Sequence, residues 1–230
     1  MSLTLKQAFY FFRQNIVRLL GFAFAIGILV VLLAQILTPI FLGDLKAEDI
    51  NPETIRPFAQ FMNLIIKPIY TGGLIALILS LATGQGKTIF NCLWLGILRW
   101  PFMFMANVMT SLVIFAGLML FILPGIWLFT RLFLVPYLVM IDRQSPLTAM
   151  INSFQYTKGY SLTIFNDILV LVVIFIVLLL ILGFLQVLHP LILLLVILLF
   201  QSMANVLYYR HYEILVAEKK PLENDDQVDK

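Results

Sequence analysis

The chain has 230 residues, of which 62% are hydrophobic and 12% are charged, and its formal net charge is +3. Soluble domains are about 45 to 50% apolar and about 25% charged, so this composition excludes an ordinary soluble domain. The basic residues lie beside long apolar runs instead of forming one patch, and this excludes a nucleic-acid-binding module.

Four uncharged runs are long enough to cross a bilayer. They lie between Arg18 and Asp44, Lys67 and Lys87, Arg99 and Arg131, and Asp167 and Arg210. Pro124-Gly125 divides the third run and His189-Pro190 divides the fourth, because Pro removes a helical donor and Gly permits a sharp bend. We therefore predict an all-α polytopic helical membrane protein with about six transmembrane spans and several interfacial amphipathic helices. The predicted spans are 20–42, 68–84, 101–122, 125–141, 161–188 and 190–210.

These spans form a single predicted membrane domain at residues 1–213, followed by a charged cytoplasmic tail at residues 214–230. Eleven of the 15 Lys and Arg residues fall on one side: Lys6, Arg13, Arg18, Lys87, Arg99, Arg143, Lys158, Arg210, Lys219, Lys220 and Lys230. The other side has Lys46, Arg56 and Lys67 among acidic residues. Because cytoplasmic loops retain Lys and Arg, both termini are predicted to be cytoplasmic. The first span lacks a cleavage site and is predicted to remain as an anchor.

Two amphipathic helices are predicted beside the first two spans. The first begins at the capping box Thr4-Leu5-Lys6-Gln7, and its apolar face is expected on the cytoplasmic leaflet, although a helix that binds a partner protein has the same pattern. The second begins at Asn51-Pro52, an N-cap followed by Pro in the first turn, and is expected on the outer surface.

The stretch Gly84-Gln85-Gly86-Lys87-Thr88 resembles the end of a phosphate-binding loop. That loop needs another glycine five residues before Gly86, where this chain has Leu81, and it follows a strand instead of a membrane span. No nucleotide is therefore expected. The two glycines are predicted to turn the chain along the cytoplasmic surface, with Lys87 at anionic headgroups and Trp94, Arg99 and Trp100 in the interface.

A further surface helix is predicted between the fourth and fifth spans. Ser145 is expected to cap it, Pro146 suits its first position, and Lys158-Gly159 marks its end. Its apolar stripe consists of Leu147, Met150, Ile151 and Phe154.

The stretch from Pro124 to Gly159 also carries a resemblance. It reads P-G-I, an Arg a few residues later, an acidic residue at the end of the span, A-[LM]-x-x-S, and a basic residue followed by Gly. The matching residues are Pro124, Gly125, Ile126, Arg131, Asp142, Ala149, Met150, Ser153, Lys158 and Gly159. This resembles the YciC-type bacterial inner-membrane proteins and the membrane domain of some glycerophosphodiester phosphodiesterases. The resemblance implies a six-span inner-membrane protein and brings no catalytic residues.

The residues do not suggest catalysis. Cys92 is alone and the two His residues are far apart, so no metal site and no cofactor are predicted. Asp142 and Asp167 could act as paired acids only if the fold brings them together. We therefore expect a non-catalytic protein that supports envelope integrity through membrane lipids or a protein partner, which includes a second copy of the chain.

The alternative is a transporter or lipid-handling permease. Its path would be lined by polar residues within the spans: Asn107, Thr110, Ser111, Arg131, Asn166 and Asp167. A water-filled pocket that reaches these residues from one side would favour this alternative.

Arg131 is the basic residue inside a predicted span. We predict that Asp167, or carbonyls exposed at the Pro124-Gly125 bend, hold its guanidinium. Snorkelling towards water and binding of a phosphate are the alternatives.

Overall fold

The computed structural model describes residues 2–42, 52–184 and 190–228, and all regular structure in these ranges is α-helical. The helices are α1 (Leu3–Leu42), α2 (Pro52–Ala82), α3 (Ile89–Leu98), α4 (Trp100–Leu120), α5 (Ile122–Leu132), α6 (Val135–Met140), α7 (Pro146–Tyr156), α8 (Ser161–Phe184) and α9 (Pro190–Val228).

Five described segments are long and apolar enough to cross a membrane. They are Leu3–Leu29, Leu64–Ala82, Trp100–Leu120, Ile122–Met140 and Ser161–Phe184. The prediction of an all-α polytopic membrane protein is thereby confirmed. The sixth predicted span, 190–210, lies within α9, whereas His189 and the end of the predicted span 161–188 lie outside the described residues.

The predicted N-terminal and outer surface helices are not separate elements. α1 runs without interruption through its predicted surface segment and the span that follows, and α2 does the same from Pro52. The capping box at Thr4 is wrong, because α1 begins at Leu3 and the Leu5 N–H donates to the Ser2 hydroxyl (3.1 Å), two residues before the predicted cap. Asn51, the predicted cap of the second segment, lies outside the described residues.

The turn after α2 agrees with its sequence. Gly84 and Gly86 have φ values of 68° and 62°, in the left-handed region that glycine adopts without strain. Thr88 then caps α3 by accepting from the Asn91 N–H (3.3 Å).

α3 packs back along α2. A Cβ atom on Gly96 would lie 2.6 Å from the Ile69 carbonyl oxygen and 2.8 Å from the Gly73 nitrogen, so the two backbones are close enough to require glycine. The Trp100 indole N–H, just after α3, donates to the Ile65 carbonyl (2.8 Å). The segment predicted to lie in the interface is therefore fixed against α2.

α4 and α5 form a tight hairpin. The chain turns at Phe121, which has extended backbone, so α5 begins at Ile122 and the predicted bend at Pro124-Gly125 is a few residues too late. A Cβ on Gly125 would lie 2.9 Å from the Leu118 Cα, so this glycine permits the close crossing of the two helices.

The chain then breaks between α5 and α6. Pro136 is near the start of α6 and has no N–H to donate to the preceding turn, so a continuous helix cannot form there.

The core lies where α1, α2, α6 and α9 meet. Its largest fully buried side chains are Phe22, Leu5, Leu19, Leu74, Ile75, Leu77, Ile78, Leu134, Tyr137, Leu138, Ile164 and Leu207. In contrast, α8 and the α4–α5 hairpin expose many large apolar side chains, as expected of surfaces that face lipid. α9 continues through the predicted domain boundary at residue 213 without a break.

Candidate functional site

The stretch that carries the family resemblance builds one connected structural unit. Pro124 and Gly125 lie in the first turn of α5, at its crossing with α4. The rest of the stretch contains the α5–α6 break and α7, which packs against α4, α5 and α6.

Arg131 joins α5 to α7. Its Nη1 donates to the Phe154 carbonyl (3.1 Å), and its guanidinium carbon lies 5.0 Å from the centre of the Trp127 ring and 4.9 Å from that of Phe154. Such cation–π contacts stabilise a partly buried guanidinium. The predicted pairing with Asp167 is wrong, and the carbonyl that holds Arg131 belongs to α7 instead of the Pro124-Gly125 bend.

Ser153 satisfies the backbone at the α5–α6 break. Its fully buried hydroxyl donates to the Arg131 carbonyl (2.7 Å), which has no helical partner because α5 ends at Leu132. The Thr157 hydroxyl lies 3.3 Å from the same oxygen. The serine of the A-[LM]-x-x-S motif therefore attaches α7 to the break, and its role is structural.

α7 begins and ends as the sequence predicts. The Ser145 hydroxyl accepts from the Thr148 N–H (3.3 Å), and Gly159, which follows Lys158, has a φ of 92°. The buried face of α7 is formed by Ala149, Ser153 and Tyr156.

The predicted apolar stripe of α7 is divided, because Leu147 and Ile151 face outward whereas Met150 packs against the core. Leu147 is 59% exposed and Ile151 is 51% exposed, and such an apolar surface is typical of a helix in the membrane interface.

Asp142 and Asp167 have separate partners. The Tyr212 hydroxyl donates to an Asp142 carboxylate oxygen (3.0 Å). Asp167 is fully buried, its Oδ2 accepts from the Ser2 hydroxyl (2.7 Å), and His211 Nε2 lies 3.2 Å from the same oxygen. His211 is itself buried, at 5% exposed. The buried cluster Ser2–Asp167–His211 connects the starts of α1 and α8 to α9.

This cluster does not have the arrangement of a catalytic triad. In a triad the histidine lies between the serine and the carboxylate and takes the serine proton. Here both Ser2 and His211 contact the carboxylate of Asp167, so the carboxylate is the central group. Within the described residues no group of three His, Cys, Asp or Glu is suited to hold a metal ion.

Cys92 is also unsuited to chemistry. It is fully buried in α3, and this burial raises the pKa of its thiol, an effect that nearby Lys87 partly opposes. A thiol with a raised pKa has little of the nucleophilic thiolate at neutral pH.

A cleft of about 460 Å³ lies between α2, α4, the α5–α6 break and α9, and we call it the polar cleft. Three helices each contribute polar side chains at helical spacing. They are Lys67 and Thr71 from α2, Asn107, Thr110 and Ser111 from α4, and Gln201, Asn205 and Tyr208 from α9. The remaining wall is apolar and includes Phe129, Leu132, Phe133, Pro136 and Phe200.

Hydrogen bonds inside the protein fix part of this polar lining. The Tyr137 hydroxyl lies 2.9 Å from the Asn205 carbonyl oxygen and 3.1 Å from its side-chain oxygen, and the Asn205 amide donates to the Gln201 carbonyl (2.8 Å). The Thr110 hydroxyl oxygen is buried and has no partner among the described residues. Buried polar groups without a partner are rare in proteins.

Three of the six residues that were predicted to line a transport path lie in the wall of the cleft. Asn107, Thr110 and Ser111 line it, as the permease alternative requires, whereas Arg131, Asn166 and Asp167 do not. The contributions of α2 and α9 to the cleft were not predicted from the sequence. Gln201 and Asn205, one helical turn apart inside the apolar span 190–210, are the signal that could have revealed the α9 wall.

No protein-family model, no curated protein and no solved structure matches this chain.

Proposed function

We propose that this chain is a non-catalytic, multi-pass protein of the bacterial inner membrane that holds a lipid in the polar cleft and supports the cell envelope through that contact. The proposal rests on the cleft itself, because polar residues from three apolar helices line the same space. Polar groups within membrane helices are costly unless they face a partner or a cavity that uses them.

The form of the cleft fits an amphipathic ligand. Its volume lies in the range of about 300 to 1,000 Å³ that is typical of small-molecule sites, and such sites combine an apolar lining with a few polar groups. Here the polar groups come from α2, α4 and α9, and the apolar wall comes from the α5–α6 break. A lipid presents the same two kinds of surface.

The inner-membrane location rests on the family resemblance and on the distribution of charge. The resemblance to YciC-type proteins is the basis for proposing the bacterial inner membrane. The eleven basic residues on one side support a cytoplasmic position for both termini. A phosphatase that works only outside the cytoplasm tests this orientation when fused after Glu53, Lys87, Asp142 or Lys230. Activity is expected after Glu53 alone, and strong activity after Lys230 would require an odd number of spans.

Lipid retention tests the proposed function directly. Ser111 is exposed and lines the cleft, so Ser111→Phe fills the cavity without replacing a packed side chain. Val113→Phe is the matched control, because Val113 is 37% exposed on the same helix and does not line the cleft. Both variants are purified from membranes of phosphatidylethanolamine and phosphatidylglycerol, and retained lipid is counted by native mass spectrometry.

We expect the wild type and Val113→Phe to retain a lipid that Ser111→Phe loses. Equal retention in all three proteins, each eluting as a monodisperse species, would show that the cleft is not the lipid site.

The permease alternative is favoured by the three helix faces that converge on the cleft, the arrangement in which transporters build binding sites. It predicts movement of lipid as well as binding. In vesicles that carry a fluorescent phosphatidylglycerol, the protein would increase the rate of exchange between leaflets, and Ser111→Phe would abolish the increase. Binding without exchange supports the non-catalytic lipid-binding function instead.

A further inference from the structure

We infer that the ligand of the polar cleft is an amphiphile with a phosphate headgroup, and that Lys67 recognises this phosphate. The inference rests on the proposed lipid-binding function and goes beyond it by naming the chemistry of the headgroup and the residue that selects it.

The charge of the lining is the first argument. Among the described residues that line the cleft, Lys67 alone is charged, and none is acidic. The carboxylates whose side chains are described have partners elsewhere: Asp142 with Tyr212, Asp167 with Ser2 and His211, and Glu213 with Arg210. The described lining therefore carries one positive charge and no negative charge, and this favours an anionic headgroup over a cationic one.

The neutral polar groups are the second argument. Asn107, Thr110 and Ser111 follow one face of α4, and their amide and hydroxyl groups can donate hydrogen bonds into the cleft. The buried Thr110 hydroxyl has no partner among the described residues. A phosphate has several acceptor oxygens and can use an ammonium and these neutral donors together.

The apolar wall is the third argument, because it separates a lipid phosphate from a free one. Phe129, Phe133 and Phe200 present aromatic surface to the same space, and Phe200 is held by a stacked contact with Phe175 of α8 (ring centres 4.1 Å apart). Inorganic phosphate makes no favourable contact with this aromatic surface. An alkyl chain packs against it and fills the space. We therefore assign the site to a lipid and not to the free ion.

Three compounds with the same chain test the headgroup. Hexadecyl phosphate, hexadecanoate and hexadecanol are titrated into purified wild-type protein, and binding is measured by native mass spectrometry. We expect hexadecyl phosphate to bind at least about tenfold more tightly than hexadecanol, since a hydrogen bond to a charged group contributes that much or more. Hexadecanoate binding as tightly as the phosphate would overturn the assignment of phosphate.

Two substitutions test Lys67. Lys67→Gln should reduce the preference for phosphate over alcohol by about tenfold, and Lys67→Arg should retain it. Lys87→Gln is the matched control, because it removes the same charge from an exposed turn that does not line the cleft. An unchanged preference in Lys67→Gln would overturn the role of Lys67.

Two further measurements distinguish a failure of the phosphate inference from a failure of the proposed lipid-binding function. Competition by millimolar inorganic phosphate as effective as that by hexadecyl phosphate would identify a site for the free ion. If Ser111→Phe abolishes binding of all three compounds while the wild type binds them equally, the lipid-binding function stands and the phosphate inference fails. If Ser111→Phe binds all three like the wild type, the proposed function fails with it.

Discussion

Among single residues, the hydroxyl of Ser153 makes a contact whose loss should lower the stability of the fold measurably. It is fully buried and donates to the Arg131 carbonyl at a break where no helical N–H replaces it. We expect Ser153→Ala to lower the free energy of unfolding by about 0.5 to 1.5 kcal/mol, the net contribution of one hydrogen bond, because the Thr157 hydroxyl still lies 3.3 Å from the same carbonyl oxygen. Thermal unfolding in detergent measures the loss, and Thr163→Ala, at an exposed position on α8, is the control. Equal midpoints for the two variants would contradict this role.

At the scale of elements, glycine decides how closely α3 approaches α2. A Cβ on Gly96 would meet backbone atoms of α2 at 2.6 and 2.8 Å, and backbone cannot move aside as a flexible side chain can. Gly96→Ala should therefore separate the two helices and lower the unfolding midpoint. Gly27→Ala, with nothing within 4 Å of the added Cβ, should leave the midpoint unchanged or raise it, because Ala favours helix by about 1 kcal/mol over Gly. The reverse order of the two midpoints would be incompatible with this packing.

The Ser2–Asp167–His211 cluster acts at the same scale, because it connects α1, α8 and α9. Asp167 and His211 are 3.2 Å apart and both are buried, so their substitutions should not be additive. In a double-mutant cycle we expect Asp167→Asn and His211→Gln to show a coupling of about 0.5 to 3 kcal/mol in unfolding free energy. Asp167→Asn combined with Thr88→Ala, which removes the cap of α3, is the control and should be additive. Additivity in both cycles would mean that the contact contributes no stability.

At the scale of the whole molecule, exposed apolar surface indicates which parts face lipid. Val173, near the middle of α8, is 49% exposed, and Leu162, near its start, is 83% exposed. A charge at the centre of a span costs about 2.5 to 3.5 kcal/mol on insertion scales and less near its end. Val173→Arg should therefore reduce the folded yield in membranes strongly and Leu162→Arg only slightly. Equal yields would show that the middle of α8 does not face lipid.

The amino-acid sequence alone was sufficient to identify this chain as a helical membrane protein. Long uncharged runs partition into lipid whatever their neighbours are, and lipid requires the backbone to bond within its own helix. Local signals were dependable at the cap Ser145 and at the turn glycines Gly84 and Gly86. The predicted cap Thr4 was wrong, because Ser2 caps α1 instead. The surface segments of α1 and α2 were predicted as separate helices, because an amphipathic stripe gives the face of a helix but not the point where it ends.

Contacts between distant side chains could not be predicted from the sequence, because they depend on how the helices pack. Arg131 contacts α7 instead of Asp167, and Asp167 contacts Ser2, which is 165 residues away in the chain. The polar cleft likewise needs α2, α4 and α9 together, so the spacing within one helix could suggest one wall and not the others. The physical reason is that periodicity records which face of a helix is polar, whereas the partner of that face is set by how the helices pack.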